Sequence, residues 1–283
     1  MATQPSSVSF GRRLSGLVHG LALGGVLYSF LVVTFVIALP VLWRPRWARW
    51  VVWRSSRFMV PIALAAGGVR VRSTGIENAR ELERGRGYIL IANHASNLDP
   101  LALIKVLGRV DLAFVAKAET LRRPLTGYLL RTIGWFGVER ESPIAFKRFQ
   151  EQVEARRKAG WIPNLVVFPE GTRSTDGVLQ PFRMGTFLLA ARCRLPILPV
   201  VIRGAAPLHG RNAFACYPGT VKVDLLPPIE PPAKVGAAQI LEVVAALQKQ
   251  AEDIYRAVPD LNRAEGDLPA PPLARPSPSE SMS

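Results

Sequence analysis

Histidine is the side chain whose unperturbed pKa lets it take and return a proton near neutral pH. The chain has three: His19, His94 and His209. Only His94 has a carboxylate close by in sequence, within Asn93-His94-Ala95-Ser96-Asn97-Leu98-Asp99-Pro100. A carboxylate beside an imidazole holds one tautomer and stabilises the imidazolium that forms when the ring accepts a proton. A five-residue offset does not stack two side chains on a regular helix, but a turn or a first helical turn can join them. The plainer alternative is that His94 caps a helix or bonds to backbone.

A second group of chemically useful residues is Phe168-Pro169-Glu170-Gly171-Thr172-Arg173-Ser174. Gly171 permits close backbone approach or a positive φ. Arg173 offers a planar fork suited to phosphate oxygens. Glu170 can orient that Arg or a substrate hydroxyl. The plainer alternative is a polar turn with a solvated arginine. Cys193 and Cys216 show no C-x-x-C spacing, and neither pairs with a His, so neither is expected to be a nucleophile. No cluster of His, Cys and carboxylates has metal-ligand spacing, so no metal and no resident cofactor is expected.

Both groups follow short apolar runs that read as buried strands. Tyr88 to Ala92 precedes the first and Leu165 to Phe168 leads into the second. Asp111 to Ala116, Ile197 to Ile202 and Val221 to Leu225 are further strand candidates. Helical patterns lie between them. Ser142-Pro143 reads as an N-cap followed by a first-turn proline, Met184 to Arg192 is apolar at helical spacing, and Ile240 to Ile254 is a longer amphipathic run. The fold class is therefore α/β, a mixed, largely parallel sheet flanked by helices.

Taken together, Asn-His-x4-Asp and Phe-Pro-Glu-Gly-Thr-Arg-Ser resemble two blocks of the glycerolipid acyltransferase family, specifically the 1-acylglycerol-3-phosphate acyltransferases. Lys117-x-Glu119, Pro124, Gly127, Gly134 and Arg140 are similar to another block, and Leu195-Pro196-Ile197-Leu198-Pro199-Val200 to a fourth. Phe182-Arg183-x-Gly185 fits the segment that trails the third, and Thr120 departs from the leucine common after the Glu. The resemblance covers roughly residues 70 to 230. It implies acyl transfer from a thioester, acyl-CoA or acyl-ACP (acyl carrier protein) as co-substrate, to the sn-2 hydroxyl of a lysophospholipid. It implies His94 as general base, Asp99 as its support, and Lys117, Glu170, Gly171, Thr172, Arg173 and Arg140 around the substrate. Backbone N–H groups near Gly171 are the expected oxyanion donors. A lyso-ornithine lipid or lysophosphatidylglycerol is an alternative acceptor. The alternative of a different class is a non-catalytic basic protein that binds membranes.

The 283-residue chain carries 36 basic against 21 acidic residues, a net charge of +15 that calls for an anionic partner. No Asp or Glu precedes Glu77, while nine arginines stand from Arg12 to Arg72. Leu14 to Trp43 lacks any charged side chain and exceeds the roughly 20 residues that a membrane-spanning helix needs. It fits either a tilted span or a shallow hairpin bent near Gly24-Gly25, with Pro40 as its end. It is too long for a signal-peptide core, so retention as an anchor is expected. Trp43, Trp47, Trp50 and Trp53 then alternate with arginines, a texture suited to anionic headgroups. That favours a phospholipid membrane over nucleic acid, for which no motif appears. The expected organisation is a tail at 1–13, a membrane-embedded helical anchor at 14–69, an acyltransferase domain at 70–258, and a disordered Pro-rich tail at 259–283. The arginines after the apolar run place the domain on the cytoplasmic face of the inner membrane.

Overall fold

A computed structural model describes residues 10–41, 43–84, 86–139, 142–160, 164–174, 179–210, 213–232 and 236–258. The expected Pro-rich tail therefore lies outside the described residues. Seven strands form one sheet: β1 Val69–Thr74, β2 Ile89–Ala92, β3 Leu112–Lys117, β4 Phe136–Val138, β5 Asn164–Val167, β6 Ile197–Arg203 and β7 Gly219–Leu225. Their order across the sheet is β1-β7-β6-β2-β5-β3-β4. The five strands from β6 to β4 run parallel, while β7 is antiparallel to β6 and carries β1 parallel to itself at the edge. The sheet is mixed and largely parallel, as expected.

Alternation along the central strands builds two cores, because successive side chains point to opposite faces. Ile89 and Ile91 enter one core, Leu90 and Ala92 the other. The first face is covered by α6 Pro143–Lys158, α7 Met184–Cys193 and α8 Ile240–Arg256, through Phe149, Phe187, Leu247 and Ala251 among others. The second is covered by α2 Pro45–Ala66, α3 Leu98–Leu107 and α5 Pro124–Thr132, through Val60, Leu64, Leu103 and Leu129. A short α4, Ala118–Arg122, links β3 to α5. Ser142 caps α6 as its sequence suggests, its hydroxyl accepting from the Ala145 amide at 3.2 Å.

Two strands were not expected. β1 reads Val-Arg-Val-Arg-Ser-Thr, and its arginines hide the strand in a basic stretch. It lies at the sheet edge, where outward charges discourage further pairing. β4 has three residues, too few for any periodic signal.

The apolar N-terminal segment is one unbroken helix, α1 Phe10–Ala38, about 43 Å long. It does not bend at Gly24-Gly25. The reversal comes after Ala38, where a short 3-10 turn, Leu39–Val41, carries Pro40. α2 opens with Pro45, runs through Pro61 and packs back along α1. The pair is therefore a helical hairpin that turns fifteen residues later than Gly24-Gly25 suggested. α1 touches the rest of the fold along its length. Gly16 and Gly20 fit under Tyr217 and the Phe214 carbonyl. The Cys216 amide donates to the Gly16 carbonyl at 2.9 Å, and Phe35 meets Tyr128 of α5 edge-on at 6.0 Å. The outward faces stay apolar, with Leu17, Val18, Leu21 and Tyr28 on α1 and Trp47 and Phe58 on α2 exposed.

Gly20 and Gly24 separate packing from helix propensity. A Cβ at Gly20 would stand 2.3 Å from the Phe214 oxygen, whereas one at Gly24 meets nothing within 4 Å. Gly20→Ala is expected to destabilise by about 1–3 kcal/mol through overpacking. Gly24→Ala is expected to be neutral or stabilising by up to about 1 kcal/mol. Thermal unfolding in detergent checks both, and equal Tm values for the two variants would show that α1 is not seated on the Phe214 segment.

Candidate active site

Parallel pairing puts the ends of β2, β5 and β3 at one edge of the sheet, with β5 between the other two. Ligand-binding residues of such sheets gather at this carboxyl edge. His94 follows β2, Glu170 and Arg173 follow β5, and Lys117 ends β3.

The His94–Asp99 pair is formed. His94 Nδ1 lies 2.8 Å from Asp99 Oδ2. The same carboxylate oxygen accepts from the amides of Ala95 and Ser96, each at 2.8 Å. Asp99 is buried in the first turn of α3, where the helix end favours a negative charge. An ionised carboxylate can only accept, so the facing ring nitrogen is Nδ1–H. Nε2 is then the lone-pair nitrogen, the atom that can take a proton from a substrate hydroxyl. The His94 side chain is 14% exposed against 1% for Asp99, so the imidazole reaches the surface while its carboxylate partner does not.

The loop around His94 is held from several sides. Asn93 stitches it to β6, donating to the Ile202 carbonyl at 2.8 Å and accepting from the Ile202 amide at 2.7 Å. The Ser96 hydroxyl donates to the His209 carbonyl at 2.5 Å and accepts from the Leu98 amide at 3.1 Å. His209 itself contacts the Ala215 carbonyl through Nδ1 at 2.9 Å, and His19 contacts the Ser15 carbonyl at 2.8 Å. These two histidines have main-chain partners within the fold.

Residues 168–174 meet the catalytic loop more closely than their sequence suggests. The Phe168 ring stacks on the His94 imidazole, with centroids 4.0 Å apart and planes 19° apart. Glu170 Oε1 accepts from the His94 amide at 2.7 Å, and the Ser174 amide donates to the His94 carbonyl at 2.9 Å. An Arg173 guanidinium nitrogen donates to Asn97 Oδ1. Gly171 takes φ +75°, a conformation that favours glycine, and the Arg183 side chain occupies the space a Cβ would fill. The Gly171 amide donates to the Phe168 carbonyl at 3.0 Å. It is thus engaged in the turn rather than open to an oxyanion.

The remaining sequence candidates divide. Thr172 is exposed and Gly171 buried. Glu170 is buried and turned inward, its second oxygen accepting from the Gln180 amide at 3.0 Å. Lys117 is exposed at the same edge, two strand spacings or about 10 Å from β2, and pairs with Glu119 at 3.6 Å. Arg140 lies outside the described residues. Phe168, Asn93, Ser96 and Ser174 had no role assigned from sequence, although all belong to the quoted blocks. Their place within those blocks was the available signal, but side-chain direction was not. Arg183 was visible only as part of the trailing segment.

Burial pushes the Cys216 thiol up to about 11 and raises that of Cys193, which removes thiolate character from both. Among the described residues no group of three or more His, Cys, Asp or Glu could hold a metal ion.

Residues 70–203 match the acyltransferase family model. That stretch is an acyltransferase-family domain. The matched span holds His94, Asp99, Lys117 and the whole 168–174 turn. The 1-acyl-sn-glycerol-3-phosphate acyltransferase of Limnanthes douglasii is 32% identical over 163 residues, covering 57% of this chain. The protein of that name from Pseudomonas aeruginosa is 29% identical over 197 residues, covering 69% of this chain and 72% of its own. The crystal structure of the 1-acyl-sn-glycerophosphate acyltransferase PlsC from Thermotoga maritima superposes with a TM-score of 0.67 at 25% identity, covering 87% of this chain and 98% of that one. The chain spans 55% of the length of the Limnanthes relative.

One acid in this family site titrates unusually. Burial, with Asp99 adding repulsion, pushes the Glu170 carboxyl up from 4.5 to about 7, while the His94 and Gln180 amides pull the other way. Tyr255 of α8 is the other titratable group coupled to it. Between the ordinary and the raised value the folded state binds more protons than the unfolded one. The Glu170 contribution to stability therefore falls as pH rises through that window. Native stability, measured relative to Glu170→Gln, is expected to decline from about pH 5 to about pH 8. Thermal unfolding of both proteins across that range checks it, and parallel curves would contradict it.

Proposed function

We propose that this acyltransferase transfers an acyl chain from an acyl thioester to the sn-2 hydroxyl of 1-acylglycerol-3-phosphate, forming phosphatidic acid. The observation that carries the reading is the oriented His94–Asp99 pair at the sheet edge it shares with Arg173 and Lys117. His94 Nε2 takes the proton of the sn-2 hydroxyl as its oxygen attacks the thioester carbonyl. The tetrahedral intermediate collapses, the C–S bond breaks, and the thiolate recovers the proton from the imidazolium. Asp99 stabilises that imidazolium and keeps Nε2 forward. The lysolipid phosphate needs cations near this base, and the presence of Arg173 and Lys117 at the same sheet edge supports their supplying them. The donor is acyl-CoA or acyl-ACP.

The hairpin of α1 and α2 seats the enzyme on a phospholipid membrane. α1 is long and apolar enough to cross a bilayer. Contacts at Gly16 and at Phe35 nevertheless hold both its ends against the catalytic domain. A helix so tied lies along one leaflet, with its outer face in lipid and the tryptophans of α2 at headgroup level. The positive-inside rule favours the cytoplasmic leaflet of the inner membrane.

Purified protein in detergent, given an acyl thioester and 1-acylglycerol-3-phosphate, is expected to release thiol and form phosphatidic acid. His94→Ala is expected to lower kcat by about 10²–10⁴. Asp99→Asn is expected to do so through the wrong tautomer, again by about 10²–10⁴. Unchanged Tm values in the two variants separate chemistry from folding. Full activity in His94→Ala would remove the mechanism. Comparing lyso-ornithine lipid and lysophosphatidylglycerol in the same assay identifies the preferred acceptor.

A further inference from the structure

Glu170 sits in the turn from which substrate ligands are expected, yet it faces the protein. The residue is 5% exposed. One oxygen accepts from the His94 amide at 2.7 Å, the other from the Gln180 amide at 3.0 Å. These amides belong to two segments that the sheet does not join. One is the catalytic loop after β2. The other is the strap Leu179–Arg183, which enters α7 and lays the Arg183 side chain over Gly171. The strap is tied elsewhere too: Arg183 N donates to the Pro169 carbonyl at 2.8 Å, Phe182 N donates to Glu252 of α8 at 3.2 Å, and the Phe182 carbonyl accepts from Gln248 Nε2 at 2.9 Å. The Glu170 carboxylate bonds both segments directly.

We infer that Glu170 is a positioning residue, clasping the main chain of His94 to the Leu179–Arg183 strap, and that it does not touch the substrate. The inference rests on the acyl-transfer reading above for its kinetic consequences but not for its geometry. Once ionised, a buried carboxylate between two N–H donors can serve both because it then only accepts. An amide of the same shape accepts from one and turns a donor toward the other, which leaves an unmade bond in a buried place. The His94 backbone then shifts relative to Phe168 and Asp99. Catalysis suffers first, since a small misplacement of a base costs far more in rate than in binding.

Two variants test this. Glu170→Gln keeps shape and loses one acceptor. Gln180→Pro keeps the acid and deletes the strap N–H. Both are expected to lower kcat about 10- to 100-fold while KM for the lysolipid stays within about twofold. Hydrogen exchange in the native protein and each variant, read on peptides covering His94 and Gln180, is expected to accelerate in both segments for Glu170→Gln. It is expected to accelerate in the strap for Gln180→Pro. A raised KM with kcat preserved would make Glu170 a substrate ligand and overturn the inference. Unchanged exchange at His94 in folded Glu170→Gln would overturn it as well. A native protein inactive on every lysolipid would instead defeat the acyl-transfer reading, and the exchange comparison would still decide the clasp.

Discussion

The parallel pairing of β2 with β5 is the constraint on which the site depends. His94 and Glu170 are far apart in sequence, and each is set by a different loop. Pairing Ile89 with Leu165 and Ile91 with Val167 brings the two loops out of the sheet side by side. Shifting either strand by one residue would send its side chains to the wrong core. It would also break the distances that join His94 to Phe168, Glu170 and Ser174. Both strands are buried on both faces, so the register is fixed by the two cores before any polar contact at the edge forms.

Within that frame Asp99 and Glu170 divide the work of holding one histidine. Asp99 acts on the ring, and its oxygen also gathers the amides that follow it. Glu170 acts on the backbone amide of the same residue. Phe168 adds a flat wall against the ring. A histidine held at ring, amide and carbonyl has little freedom to reorganise, which is the condition that the proposed proton transfer requires.

The central strands were legible because their apolar runs are short, bounded and continuous, as strands buried on both faces must be. β1 was not, because Arg70 and Arg72 break its apolar run beside an arginine-rich helix. Among the site residues, the His94–Asp99 pairing was readable from residue types and a plausible turn. The inward turn of Glu170 was not. An acid in a Gly-containing turn reads equally well as a substrate ligand or as a brace, and only the position of two amides from other segments distinguishes them. The bend at Gly24-Gly25, one of the two arrangements the sequence allowed, is absent for a related reason. Glycine permits a bend, but here helical hydrogen bonding continues, and the neighbouring Gly16 and Gly20 serve close packing on the 214–217 segment instead.

The same segment connects the apolar hairpin to the catalytic loop. Cys216 bonds to the α1 backbone at Gly16, Ala215 meets the His209 ring, and the His209 carbonyl receives the Ser96 hydroxyl. Ser96 in turn donates its amide to Asp99. Each link is a hydrogen bond between groups that are buried or partly buried, where an unmade bond is costly. α1 is therefore more than an attachment appended to a finished domain. The segment it buries is one of the supports that fix the loop carrying His94. The excess positive charge of the chain gains a more local meaning in consequence. In the proposed membrane reading, the arginines of the hairpin set where the fold rests on an anionic surface. The helices they flank help set where the base stands, and the two tasks share one short stretch of chain.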